Sequence, residues 1–157
     1  MKKLHLTFGS TPVISQLRKR KKDLALTQLY SLSGTENDLL LDLSETSSPF
    51  VGGISFKIIS GSLLKKANYY FVFSYFTLNS DEQKVFLPLF ERSKADNIIL
   101  ARSLKHDFNF LLISLWSNQE DFFHWSNSAP LFFSQNYLKN PQYQAHTTLY
   151  QSRPDSF

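Results

Sequence analysis

Residues 3 to 8, KLHLTF, alternate apolar and polar positions as a short half-buried strand does. Gly9-Ser10-Thr11-Pro12 reads as a turn into a helix that carries Val13, Ile14 and Leu17 on one side. Leu24 to Leu32 predicts a second strand, Gly34 to Asn37 has turn chemistry, and Asp38 to Leu43 predicts the returning strand of a hairpin. Ser44 to Gly53 is polar and punctuated by Gly and Pro, so it reads as a loop before another strand, Ile54 to Ile59.

The second half repeats the theme. Tyr69 to Leu78 is aromatic and strand-prone, and a helix follows, with Ser80 as cap and Gln83 placed to reach back to it. Val85, Phe86, Leu89 and Phe90 form its buried side, and Pro88 is expected to kink or shorten it. Ile98 to Leu104 and Phe108 to Trp116 predict a hairpin around Lys105-His106-Asp107. Ser117 with Glu120 gives a second capping pattern, opening a helix through Phe122 and Trp125. Ser128-Ala129-Pro130 interrupts, a further helical piece reaches Tyr137, and Ala145 to Gln151 is the closing strand.

The order βαββαβ is the ferredoxin-like split unit, so the class is α+β. Two regions are expected, an N-terminal βαβββ half-module over 1–64 and a ferredoxin-like unit over 65–157. One four-stranded sheet with helices on a single face leaves its other face to be covered. Either the first half closes over the second within one chain, giving a monomer with an internal pseudo-dimer, or two chains pair as a homodimer; closure within one chain is the reading adopted.

Composition narrows the function classes. Fifteen Phe and seven Tyr, with 42% hydrophobic and 19% charged residues, supply enough apolar surface to fold. The absence of cysteine excludes disulfides, thiolate metal sites and cysteine nucleophiles. The opening MKKLHLTF lacks an apolar targeting core, and no apolar run approaches the roughly 20 residues that span a bilayer, so a cytoplasmic protein without a membrane role is expected. The net charge of +4 is modest, and five cations fall in one run, Arg18 to Lys22. That run suits a helix C-terminus, and without interleaved aromatics it argues against nucleic acid. Glu120 and Asp121 are explained by their place at a helix start. His5, His106, His124 and His146 show no metal-ligand spacing, and no metal site is expected.

Ile113-Ser114-Leu115-Trp116 ending a strand, Glu120-Asp121-Phe122 opening a helix, and Trp125 with Ser128 before an aromatic segment resemble the antibiotic biosynthesis monooxygenase family, in its heme-degrading branch. Met1 to Leu4 with Phe8-Gly9, Leu41 to Ser47, and His146 to Tyr150 look like longer members, including the heme monooxygenase of the HmoB type and the signal-transduction protein TRAP. The resemblance implies a dimeric α/β-barrel type of fold. It also implies three site positions: a His that binds heme iron, an Asn that hydrogen-bonds the iron's other ligand, and a Trp that buckles the macrocycle. Imidazole is a good iron ligand and the oxidation belongs to the cofactor.

Carried over by position, the Trp is Trp125, the His falls at Gln135, and the Asn falls at Tyr75, or at Ser74 with a one-residue slip. The implied ligand site is lined by Ser74, Tyr75, Trp125, Phe132 and Gln135. A primary amide is a poor iron ligand beside imidazole, while Tyr75 could bind ferric heme or fill the pocket. His124, eleven residues before Gln135, lies about 16 Å away along a continuous helix and cannot replace it. The resemblance therefore implies a degenerate member without ordinary heme-degrading activity. The alternatives are an active monooxygenase on heme or another flat aromatic substrate, and a TRAP-like signalling or stress-response protein. A small hydrophobic or aromatic ligand is the expected partner, and heme the cofactor in question. Trp116, Trp125 and the Phe cluster read equally as core, and Gln135-Asn136 as a solvated helix end.

Overall fold

A computed structural model describes residues 2–32, 37–44, 47–93, 97–128 and 145–157. The described elements run β1 (Lys3–Gly9), α1 (Thr11–Arg20), β2 (Leu26–Ser31), β3 (Asp38–Asp42), β4 (Ile54–Gly61), β5 (Tyr70–Thr77), α2 (Ser80–Ser93), β6 (Ile98–Ser103), β7 (Asn109–Trp116), α3 (Gln119–Ser128) and β8 (His146–Gln151). The eight strands close into one antiparallel barrel in the order β1-β3-β2-β8-β5-β7-β6-β4. Closure is thus completed within one chain. The strands of 1–64 make one continuous half of the wall and those of 65–157 the other, joined at the β2–β8 and β4–β6 seams.

Alternation along each strand sends one row inward and the other outward. The inward row fills the barrel: Leu4 and Leu6 from β1, Phe71 and Phe73 from β5, Leu111 and Ile113 from β7. Phe73 meets Tyr150 edge to face at 5.2 Å. Each fully buried Phe or Leu contributes about 1.5–3 kcal/mol, so this interior is the main source of stability. Outward rows are covered by helices. Ile14 of α1 packs on Leu26, Leu40 and Phe50, while Phe86 and Phe90 of α2 pack on Phe76, Leu100, Phe110 and Leu112. On β1 the buried His5 is aligned with the buried Asp42 on one side and the half-buried Ser55 on the other, and its Nδ1 lies 2.6 Å from the Ser55 Oγ.

Four local expectations need correction. Val13 and Val85 are exposed, at 58% and 56%, because each sits about 100° off its helix's buried stripe. α2 continues past Pro88 to Ser93, so the proline does not shorten it. The cap of α2 is Asn79, not Ser80: the Asn79 N–H donates to Glu82 Oε1 and the Glu82 N–H to Asn79 Oδ1, both at 2.8 Å. At α3 the Asp121 N–H likewise donates to Asn118 Oδ1 at 2.8 Å, in place of a Ser117 cap. Residues 34–36 of the predicted turn Gly34–Asn37, and the helical piece to Tyr137, lie outside the described residues. Among the described residues, no helix is long and apolar enough to cross a membrane.

Candidate ligand site at the barrel mouth

The strand parity that builds the core also sorts the proposed site residues. On β5, Phe71 and Phe73 point inward and Tyr75 packs against the same interior, whereas Phe76 belongs to the helix-covered outer face. Tyr75 is the last inward aromatic of its strand, so it closes the core at one end of the barrel. On the adjacent strand it faces His146, its register partner on β8. The rings stack at 6.2 Å with planes 22° apart, and the His146 Nε2 lies 3.1 Å from the Thr148 hydroxyl.

Two cavities flank Tyr75 at this mouth. The larger, about 590 Å³, has walls from Ile54, Phe56, Tyr75 and Phe110, with Ser103, His106 and Asn109 as polar groups. The second, about 410 Å³, lies between Phe8, Asn37, His146 and Tyr150 and shares Ile54 and Tyr75 with the first. The β6–β7 turn beside them is anchored: Ser103 Oγ accepts from the Lys105 and His106 N–H groups, each at 3.2 Å. The Gln83 side-chain amide also donates to the Asp107 carbonyl at 3.2 Å. Lys105 is the only permanent charge among the described residues of the larger wall. A mostly apolar, aromatic-walled hollow with a few neutral polar groups suits a flat, largely uncharged molecule. Among the described residues, no group of three or more His, Asp or Glu could hold a metal ion.

Trp125 lies elsewhere. It packs against the outer-face core, with ring centroids 5.3 Å from Trp116 and 6.3 Å from Phe122. Trp116 is fixed in turn by its indole N–H donating to Ser114 Oγ at 2.8 Å. Ser74 is buried, and its Oγ accepts from the Thr147 hydroxyl at 3.3 Å. Successive residues of a strand point to opposite sides, so Ser74 and Tyr75 do not share a face. Tyr75 joins the mouth; Trp125 lines neither mouth cavity. Gln135 and Phe132 lie outside the described residues. By the strand alternation Tyr75 lies on the inner side of the sheet, while Ser74, paired with Leu112, lies on the outer side with Phe76, the side on which Trp125 packs.

Sequence reasoning missed most of the mouth. Ile54, Phe56, Ser103 and Asn109 gave no local signal, and His106 and His146 show no ligand spacing that would single them out. The one available clue was Tyr75 itself, an aromatic at the end of an inward row. Its partner could be found only from the β5–β8 pairing.

No family model matches the chain, and no curated protein matches it by sequence. Solved structures do match. An uncharacterised ferredoxin-fold protein from Listeria monocytogenes, described as related to antibiotic biosynthesis monooxygenases, superposes with TM-score 0.80 at 24% identity, over 97% of this chain and 94% of that one. A heme-degrading enzyme from Listeria monocytogenes gives TM-score 0.73 at 23% identity, over 98% and 100%. A staphylococcal protein described as a major regulator of pathogenesis gives TM-score 0.75 at 12% identity, over 96% and 99%. Similarity at this level fixes architecture and leaves chemistry to the residues. The chain thus has the ferredoxin-like barrel fold found in monooxygenase-like relatives of the antibiotic biosynthesis monooxygenases.

Proposed function

We propose that this chain binds a flat, mostly apolar or aromatic small molecule at the Tyr75 mouth and has lost ordinary heme degradation. One observation carries the reading: Tyr75, stacked on His146, forms the shared wall of two hollows of about 590 and 410 Å³. Both volumes fall in the range of small-molecule sites. Tyr75 offers an aromatic ring beside an apolar wall of Ile54, Phe56 and Phe110, and Ser103, His106 and Asn109 can orient a polar substituent. The separation of Tyr75 from Trp125 and the Gln at position 135 speak against iron ligation of the family kind. A heme-degrading enzyme and a regulator share this fold, so the bound molecule would be either substrate or signal. His146 favours the first, since an imidazole at the wall is a group suited to proton transfer with a phenolic ligand.

The test is a titration with the neutral fluorophore N-phenyl-1-naphthylamine, alongside a heme titration followed at the Soret band with reductant under air. Saturable fluorophore binding, weakened about tenfold or more by Tyr75→Ala and by the rim substitution Ile54→Glu, is the expected result. Fluorophore binding indifferent to both substitutions would remove the mouth as the site. Stoichiometric heme uptake followed by bleaching would overturn the loss of heme chemistry.

A further inference from the structure

We infer that the outer wall beside α1 holds a second site, distinct from the Tyr75 mouth, that takes the phosphate or carboxylate head of a small organic anion. A hollow of about 540 Å³ opens between the end of α1, the start of β2 and the C-terminal segment. Arg18, Lys19 and Lys22 line it, and Asp155 is the one carboxylate among its described lining residues. A further cation, Arg153, stands 3.8 Å over the ring of Tyr30.

The helix dipole explains why cations gather at the end of α1. It does not explain why they surround a concavity with a polar floor. Gln28, only 2% exposed, donates its side-chain N–H to Ser15 Oγ at 2.9 Å. Tyr30 is buried, and its hydroxyl donates to the Asp155 carboxylate, with both oxygens at 3.3 Å. Arg18 donates to the Asp155 backbone carbonyl, so its guanidinium is held at the wall while further N–H groups remain. A planar guanidinium is suited to bidentate recognition of phosphate or carboxylate. Lys19, in the last turn of α1, and Lys22, in the turn that follows the helix, are both exposed and both line the hollow. A concave, low-dielectric wall concentrates their field. Leu24, Leu26 and Phe157 supply an apolar patch beside the cations, which fits an anionic head on an organic body. A polyanion would need an extended stripe with aromatic platforms, and the run 18–22 has none.

The experiment is calorimetric titration of the full chain with phenyl phosphate and with inorganic phosphate, repeated at raised salt. Phenyl phosphate should bind saturably at one per chain, more tightly than inorganic phosphate, and weaken with salt. The surface double variant Lys19→Glu/Lys22→Glu should lose about tenfold or more in affinity, and Tyr75→Ala should leave it unchanged. Arg18→Lys keeps the charge and removes the fork, so it should weaken binding without altering the fold. Absence of saturable binding, or equal binding by Lys19→Glu/Lys22→Glu, overturns the site. A short oligonucleotide that binds far more tightly and displaces phenyl phosphate also overturns it, in favour of an extended polyanion face.

Discussion

Tyr75 and His146 face one another on adjacent antiparallel strands, with ring planes 22° apart. The pair roofs the barrel core and walls the smaller cavity. Removing one ring of such a pair costs about 0.5–1.5 kcal/mol. His146→Ala should therefore weaken N-phenyl-1-naphthylamine binding about two- to tenfold and lower the urea midpoint slightly. An unchanged dissociation constant would show that the stack is packing alone.

The capping residues separate sharply in expected effect. Asn79→Ala removes a reciprocal bond and should cost about 1 kcal/mol in urea unfolding. Ser80→Ala, next to it, should stay within about 0.5 kcal/mol. The reverse order would mean that the helix begins one residue later than described.

Two glycines with positive φ should also behave differently. At Gly61, φ is +98° and an added Cβ would come within 1.9 Å of the Ile98 carbonyl oxygen, beside the irregularity in β4–β6 pairing. Gly61→Ala combines backbone strain with a clash against backbone and should cost on the order of 2–3 kcal/mol. At Gly52, φ is +75° and nothing lies within 4 Å, so Gly52→Ala should cost only about 1 kcal/mol. Equal midpoints for the two variants would contradict this account.

Tyr30 gives an alkaline signature. Burial pushes its phenol above the ordinary value of 10.0, and the neighbouring Asp155 charge and hydrogen bond push it further in the same direction. A group whose pKa is raised on folding contributes stability that is complete below the unfolded value and is lost as pH rises through the folded one. Wild type should therefore lose stability faster than Tyr30→Phe above about pH 10, as followed by urea midpoints across that range. Parallel curves would show that Tyr30 does not titrate differently in the fold.

Much of the architecture could be read along the chain, because period-two alternation in segments such as FVFSYF directly encodes an inward and an outward row. Both hairpins and the βαββαβ order of the second half follow from it. The caps were displaced by one residue because Asn79-Ser80 and Ser117-Asn118 each place two good caps side by side. Which one serves is decided by where the preceding strand releases the chain. The mouth was legible only at Tyr75. Phe8, Ile54, Ser103 and His146 come from four different strands or their ends, and only the barrel's register brings them together.

Among the described residues, β2 and β8 pair only at Tyr30↔Gln151 and Ser31↔Tyr150, whereas β5 and β8 pair over six positions. A backbone bond from the Gln28 N–H to the Ser156 carbonyl and another from the Leu32 N–H to the Leu149 carbonyl reinforce that join. Mechanically, the molecule is a ring with one short clasp, and the C-terminal segment lies across it. Tension applied through that segment would part β8 from β2 while β8 stays with β5, turning a closed ring into a curled ribbon with two free edges.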